Sequence, residues 1–248
     1  MTRLAALSDI HGNAVAMEAV LADIAKVKPD GVLVAGDLAI HGPEPAMVVD
    51  VLRTLADDGA LVIAGNTDIA VADFDYAAAF PWMTDGVPEA TVAAAEWAHD
   101  ALGPDRIDWL RRLPAERRWR LADGTLVLVC HASPGSQTAG FDMGLDPAVT
   151  IERVARTDAR IIVCGHTHRP EVRDLGWKII VNDGSAGYTF DGDPTASWAL
   201  IDIDGDEVKA EIRRTEFDTM SVANAISARG LAGDVYRAAT VRTGKLVR

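Results

Sequence analysis

Seven side chains that can bind a metal ion directly follow hydrophobic runs, at the points where β-strands are expected to end. They are Asp9, His11, Asp37, Asn66, His131, His166 and His168. Of the six histidines in the chain, only His41 and His99 lie outside this set. Open α/β sheets bind their ligands at strand ends, and a mixture of carboxylate, amide and imidazole groups suits borderline divalent cations. The pattern therefore predicts a metal centre.

The number of candidate ligands favours two ions over one. A single catalytic zinc ion uses about three protein ligands, whereas seven candidates follow predicted strands here. A carboxylate shared by two ions would hold them about 3.5–4 Å apart. Asp37 is the expected bridge, because it belongs to the middle one of the first three predicted strands.

The first half of the chain alternates predicted strands with helical patterns. Strands are predicted at residues 3–7, 32–35 and 61–64. Such βα units in series favour parallel strands joined by right-handed crossovers. The fold class predicted is therefore α/β.

Residues 67–115 break this alternation and predict a helical insertion over one edge of the site. Helices are expected near 88–101 and 104–112, and three tryptophans are expected to pack the insertion onto the domain: Trp82, Trp97 and Trp109.

The second half predicts shorter, strand-rich structure. Strands are expected at 117–121, 125–130 and 160–164, a helix at 147–156, and further strands at 171–175, 177–181, 196–203 and 207–214. Gly and Asp turns between the last four strands are typical of an antiparallel meander. The tail from about residue 219 has a helical pattern. Because no linker interrupts the chain, residues 1–248 are predicted to form a single domain.

Composition restricts the partners. Hydrophobic residues make up 49% of the 248 residues, as in an ordinary globular protein, and the formal net charge is −13. An acidic surface repels long nucleic acid but permits a small phosphorylated substrate, because bound metal would make the site locally positive. Cys130 and Cys164 are expected to be buried and reduced. Without a signal peptide or a membrane-spanning run, a cytoplasmic location is expected. The oligomeric state stays open.

The order of the motifs resembles the calcineurin-like metallophosphoesterase superfamily, in particular its bacterial and archaeal branch of small phosphodiesterase-like members. The motifs that match the superfamily are Asp9-Ile10-His11, Gly36-Asp37, Gly65-Asn66-Thr67-Asp68, Cys130-His131 and Gly165-His166-Thr167-His168. The motifs that resemble the branch are Gly42-Pro43-x-Pro45, His131-Ala132-Ser133-Pro134, and Asn182-x-Gly184-Ser185 followed by Gly192-Asp193-Pro194. The resemblance implies a four-layer αββα sandwich of two mixed β-sheets flanked by helices.

The resemblance also implies a ligand set and a reaction. One divalent ion would be held by Asp9, His11, Asp37 and His168, and a second by Asp37, Asn66, His131 and His166. The implied reaction is hydrolysis of a phosphate ester by direct attack of a hydroxide that bridges the two ions. The nitrogen and oxygen ligands allow Mn, Fe, Zn, Co or Ni.

One position departs from the family pattern. The fuller motif reads Gly-Asn-His-Asp, and its histidine can protonate the leaving oxygen, whereas this chain has Thr67 there. A Thr hydroxyl is a poor proton donor near neutral pH. We therefore expect phosphodiesters and aryl phosphates to be better substrates than alkyl monoesters. His41 is the candidate general acid that could compensate.

Candidate substrate contacts are Asn66, Asn13 and Arg169, although Asn13 could instead cap the helix that follows it. Three other functions compete with the phosphodiesterase. A phosphomonoesterase or nucleotidase would use the same ions, and a non-catalytic protein-binding scaffold of the same fold would need none of the ligands. A barrel amidohydrolase would favour His-x-His on the first strand, which the chain lacks.

Overall fold

The computed structural model describes residues 1–248, which form ten strands and eight helices. The strands are β1 (Thr2–Leu7), β2 (Gly31–Val34), β3 (Leu61–Val62), β4 (Glu116–Arg120), β5 (Leu126–Cys130), β6 (Ile161–Cys164), β7 (Glu171–Asp174), β8 (Ile179–Asn182), β9 (Ala196–Asp204) and β10 (Glu207–Thr215). The helices are α1 (Ala14–Val27), α2 (Pro45–Asp57), α3 (Asn66–Asp73), α4 (Tyr76–Ala79), α5 (Glu89–Arg112), α6 (Pro147–Val154), α7 (Thr219–Arg229) and α8 (Asp234–Thr243).

The strands form two mixed five-stranded sheets. The first has the order β10-β9-β1-β2-β3 and the second the order β4-β5-β6-β8-β7. Strands β1, β2 and β3 run parallel to one another, as do β5, β6 and β8. With helices on the outer faces, this is the predicted αββα sandwich, and the predicted fold class is confirmed.

The alternation of side chains along β1 shows how the layers are held together. Leu4 and Ala6 face the apolar layer between the two sheets, to which strands of both sheets contribute. Ala5 and Leu7 face the opposite way, into a larger core with residues of α1, α2 and α5. Because both faces of β1 are covered, the strand has a continuous apolar sequence rather than an alternating one.

The predicted meander over the last four strands is wrong at its centre: β7 pairs antiparallel with β8 and β9 with β10, but β8 and β9 belong to different sheets. β8 pairs parallel with β6 inside the second sheet, whereas β9 and β10 belong to the first sheet, where β9 pairs antiparallel with β1. The chain therefore crosses between the sheets after β8. Turn residues mark where a strand ends, but they do not reveal which sheet the next strand joins.

The segment between β3 and β4 is helical, with α3, α4 and α5. The two helices predicted near 88–101 and 104–112 correspond to the two parts of α5, which are separated by a break in the helical backbone at Gly103, before Pro104. Trp97 and Trp109 are partly buried against the core. Trp82 does not pack as expected, because 53% of it is exposed.

Helices α7 and α8 pack against each other around a small core that includes Tyr188, Val222 and Ile226. None of the eight helices combines the length and hydropathy that a bilayer-spanning segment requires. Cys130 and Cys164 end the adjacent parallel strands β5 and β6, and both are fully buried free thiols.

Candidate metal centre

Five loops that follow parallel strands converge at one edge of the two sheets. They follow β1, β2, β3, β5 and β6, and they carry all seven candidate ligands. Within the first sheet, Asp9 N donates to Gly36 O at 2.9 Å and His11 N donates to Asp37 O at 3.0 Å. Between the sheets, His166 N donates to Asp9 Oδ2 at 2.8 Å. The two sheets therefore deliver their strand ends to a common site.

The backbone is left-handed at several of these ligands. Positive φ angles occur at Asp9 (51°), His11 (52°), Asp37 (57°), His166 (69°) and His168 (56°). Such conformations are uncommon for residues other than glycine, and they persist where the surrounding structure imposes them, often at functional sites. Here they turn successive side chains of short loops toward one point.

Four of the seven ligands form a buried cluster that could hold a metal ion. Asp9, His11, Asp37 and His168 each offer one ligand atom, and these atoms all lie within 4.8 Å of one another. His168 Nε2 lies 3.1 Å from Asp9 Oδ1 and 3.1 Å from His11 Nε2. Two imidazole nitrogens this close require a proton or a cation between them, because their lone pairs repel.

The other three ligands gather on the opposite side of Asp37. Asn66 Oδ1 lies 3.0 Å from both His131 Nε2 and His166 Nδ1, and these two nitrogens are 3.2 Å apart. Asn66 is held in place because its Nδ2 donates to Ala79 O at 3.0 Å. The three groups present one amide oxygen and two imidazole nitrogens to a single point.

Asp37 lies between the two groups and uses a different oxygen toward each. Its Oδ2 is 3.7 Å from His11 Nε2, whereas its Oδ1 is 3.4 Å from His131 Nε2. Thr67 N donates to the same Oδ1 at 2.9 Å and fixes the orientation of the carboxylate. Asp37 is therefore within reach of both groups of candidate ligands, through different oxygens.

Hydrogen bonds behind the ligands set their orientation. His131 Nδ1 lies 2.7 Å from Ala35 O, and His168 Nδ1 bonds to Tyr188 O. Since a carbonyl can only accept, both rings carry a proton on Nδ1, and their Nε2 atoms point toward the place where a cation would bind. On the carboxylate side, Ser8 Oγ lies 2.6 Å from Asp9 Oδ2.

The ionisable side chains of the site have pKa values that are shifted in different directions. Burial alone would raise the pKa of Asp9 and of Asp37, but attraction to His168 and to His131 respectively outweighs it, so both values lie below the ordinary range. Burial would lower the pKa of His131, but Asp37 raises it to about 10. Burial lowers the pKa of His166 to about 4. The site therefore attracts positive charge.

The residues present fit a divalent metal ion. Asp9 Oδ1 is buried and has no hydrogen-bond partner in the protein, although it faces the cluster. A buried anionic oxygen without a partner is costly, and a cation at this point would satisfy it. The donor set of carboxylate, amide and imidazole is the set that borderline divalent ions accept.

A cavity of about 230 Å³ opens over the cluster. Its lining includes the ligands His11, Asp37, Asn66, His166 and His168 together with His41, Thr67, Phe80, Trp82, Met83, Thr91, Tyr188, Phe190 and Arg248. Thr67 Oγ1 is buried and makes no hydrogen bond. The candidate metal ligands therefore lie at the base of the cavity, and aromatic side chains such as Trp82 and Phe190 lie around its opening.

Two of the substrate contacts predicted from sequence, Asn13 and Arg169, do not line the cavity over the cluster. Asn13 is buried and uses its whole amide: Oδ1 accepts from Ala16 N at 3.0 Å as the cap of α1, and Nδ2 donates to Gly187 O at 2.9 Å. Both polar atoms of its amide therefore have partners within the protein, one of them in the cap of α1. Arg169 lines a neighbouring cavity of about 640 Å³ rather than the one over the cluster, and only Phe190 borders both.

Several residues that shape the site escaped prediction from sequence. Asp183 is fully buried, and its Oδ1 lies 2.5 Å from Ser8 Oγ, the hydroxyl that also contacts Asp9. Phe190 stacks on His168 with the ring centroids 4.1 Å apart. Both residues lie in the connection between β8 and β9, which crosses from one sheet to the other. The Asn-x-Gly-Ser motif indicates a tight turn there, but no local pattern predicts the path of the connection.

Comparison with known proteins agrees with this geometry. The profile of the calcineurin-like phosphoesterase superfamily domain matches residues 2–206. An uncharacterised protein of Methanocaldococcus jannaschii is 26% identical over 230 residues, covering 87% of this chain and 88% of its own. A metallophosphoesterase of Sphaerobacter thermophilus superposes with a TM-score of 0.75 at 24% identity, covering 98% of this chain and 99% of its own. A hypothetical protein of Pyrococcus horikoshii superposes with a TM-score of 0.83 at 22% identity over the same shares. The chain belongs to the calcineurin-like phosphoesterase superfamily.

Proposed function

We propose that the protein is a phosphoesterase that uses two divalent metal ions and favours phosphodiesters or aryl phosphates. The observation that carries the proposal is the position of Asp37, with one oxygen toward His11 and the other toward His131. A carboxylate placed in this way can serve two ions at once. Asp9, His11 and His168 would complete one ligand set, and Asn66, His131 and His166 the other.

When bound, the ions would supply an activated water and neutralise the charge that develops on the phosphoryl oxygens. The protein's own residues position that chemistry. Thr67 N fixes the orientation of the Asp37 carboxylate, and the carbonyl partners of His131 and His168 direct the Nε2 atoms of these rings toward the ions.

The site is least suited to leaving groups that must be protonated in order to depart. Thr67 borders the cavity and its Oγ1 is buried without a hydrogen-bond partner, but a hydroxyl is too weak an acid to protonate an alkoxide of high pKa. Leaving groups that depart without a proton therefore suit the site. Phe190 and the exposed Trp82 flank the opening and offer apolar surface to an aromatic leaving group.

The intact ligand set favours an enzyme over a non-catalytic scaffold, because a scaffold gains nothing from burying the carboxylates Asp9 and Asp37 next to each other. The cavity of about 230 Å³ suits a small phosphorylated substrate rather than a polymer. The catalytic role and the small size of the substrate concern the same site, so one set of hydrolysis measurements tests both.

The test is a hydrolysis panel of monoesters and diesters whose leaving groups are graded by pKa. Each substrate would be measured with the metal-free protein and after loading with manganese, iron, zinc, cobalt or nickel. We expect metal-dependent hydrolysis that falls steeply as the leaving-group pKa rises. Equal rates on alkyl monoesters and aryl diesters would contradict the proposed preference, and no hydrolysis with any metal would favour the scaffold.

A further inference from the structure

Arg237 of α8 contacts the site through the ring of His41. Its Nε donates to His41 Nδ1 at 3.3 Å. Arg237 is buried and held by Asp234 at 3.0 Å and by the carbonyls of Ala232, at 2.8 Å, and Ala90. The guanidinium is therefore fixed from several sides, and its direction toward the imidazole is set by the fold of the C-terminal helices.

The ring of His41 is equally well fixed. It stacks on His11, with the ring centroids 5.2 Å apart and the planes at 28°, and it lies 5.3 Å from the ring of Tyr188. Its φ angle is 81°, in the left-handed region. His41 borders the cavity over the metal cluster. While Nδ1 accepts from Arg237, Nε2 has no partner within the protein.

The identity of the donor decides the protonation of the ring. A guanidinium has only N–H groups and does not give up its proton in proteins. His41 Nδ1 must therefore be the acceptor, which leaves the single ring proton on Nε2. An imidazolium would bring a second N–H against Arg237 and lose this hydrogen bond.

We propose that Arg237 is a positioning residue that fixes His41 as the neutral Nε2–H tautomer, so that His41 donates a hydrogen bond to an oxygen of the bound phosphate ester. This inference rests on the proposed function for the identity of the ligand. It also changes the role expected of His41 from sequence, since a neutral imidazole is a hydrogen-bond donor and a very weak general acid. His41 therefore does not replace the acid that is missing at Thr67.

The surroundings of His41 agree with a neutral ring. The ring lies against His11 and Tyr188, and Arg237 places a permanent cation at Nδ1, which would repel a positive charge on the imidazole. The contribution of Arg237 is steric as well as electrostatic, because it occupies the Nδ1 side of the ring.

Arg229 of α7 provides a useful contrast on the same loop. It donates to His41 O at 2.7 Å and to Gly42 O at 2.8 Å, and it pairs with Asp234 at 2.7 Å. Arg229 therefore holds the backbone of the loop but does not touch the imidazole. Both arginines lie beyond residues 2–206, the part of the chain matched by the family profile.

The first experiment reads the tautomer directly. The full-length protein, labelled with ¹⁵N in histidine, would be studied by NMR at neutral pH, metal-free and loaded with diamagnetic zinc. We expect His41 to show a protonated Nε2 and an unprotonated Nδ1 in the wild type. The Arg237→Met variant should lose this preference, whereas Arg229→Lys, the matched control, should keep it.

A proton on Nδ1 of His41 in the wild type, or on both nitrogens, would overturn the inference without need of any variant. The same holds if Arg237→Met folds and leaves the His41 signals unchanged. Because the metal-free spectrum requires no catalysis, the result stands even if the protein proves not to hydrolyse esters.

The second experiment reads the role in hydrolysis. His41→Phe removes the donor, and His41→Gln places an amide N–H at a reach similar to that of Nε2. We expect His41→Phe to lose about 10- to 100-fold in kcat/KM, as for a hydrogen bond to a charged group, by a similar factor for all leaving groups. His41→Gln should recover most of the activity. A loss that grows with leaving-group pKa and is not recovered by Gln would show a general acid and overturn the inference.

Discussion

His131 and Asp37 face each other at the centre of the site, with His131 Nε2 3.4 Å from Asp37 Oδ1. Both side chains are buried, and Asp37 raises the pKa of His131 to about 10. In the metal-free protein at neutral pH, His131 is therefore a cation that pairs with the carboxylate. The same two atoms are the ones that a metal ion would need.

Metal binding should for this reason release a proton from His131. Because the metal-free pKa of about 10 lies above neutral pH, the proton is present at pH 7 and competes with the metal. Affinity should rise with pH until that pKa is passed and fall on acidification. Calorimetry at pH 7 in buffers of different ionisation enthalpy should detect the released proton. His131→Gln should lose it, and a pH-independent affinity in the wild type would contradict this reading.

Introducing the acid that the chain lacks should change its substrate range. Thr67→His would place an imidazole beside Asn66, where Thr67 Oγ1 now has no partner. General acids contribute about 10²–10⁴-fold, and we expect at least a ~10-fold gain on alkyl leaving groups with little change on aryl diesters. Thr67→Val, which removes the hydroxyl and keeps the shape, should give no such gain. A gain of equal size on both substrate classes would argue against a missing acid.

Trp82 should contribute to the binding of aromatic leaving groups. It is 53% exposed at the mouth of the cavity and makes an edge contact with His166, with the ring centroids 6.2 Å apart. Aromatic contacts are worth about 0.5–1.5 kcal/mol, so Trp82→Ala should raise KM for aryl diesters by ~3- to 10-fold and leave dialkyl phosphates unchanged. Trp177, also 53% exposed but away from the cavity, is the matched control. Equal effects of the two substitutions would rule this contact out.

Gly165 should be intolerant of any side chain. A Cβ there would overlap Ser8 Oγ and Asp9 Oδ2, which hold the first ligand in place. Overpacking of this kind costs about 1–3 kcal/mol, so Gly165→Ala should lower the melting temperature and weaken metal binding. Gly144, where a Cβ meets open space, should accept Ala without either effect. Tight metal binding by Gly165→Ala would show that Asp9 can move without consequence.

The sequence predicts the ten strands and the positions of the seven ligands because these follow local rules. Buried parallel strands have continuous apolar sequences, as in β1 and β6, and the ligands follow them directly. Pairing between distant strands follows no such rule, and for this reason the β8–β6 contact was missed.

The roles of Asn13 and His41 show the same limit within the site. The type of side chain predicts which contacts a residue can make, but its partners decide which it does make. The amide of Asn13 contacts the protein through both polar atoms, with Oδ1 in the cap of α1 and Nδ2 on the carbonyl of Gly187. His41 meets Arg237, which is 196 residues further along the chain.

The central claim is that two ions share Asp37, and a metal titration tests it most directly. Metal-free protein would receive manganese in known equivalents while hydrolysis of an aryl phosphodiester is followed. We predict that activity rises until two equivalents per chain are bound and then stays constant. A plateau at one equivalent, or no hydrolysis at any manganese concentration, would contradict the account.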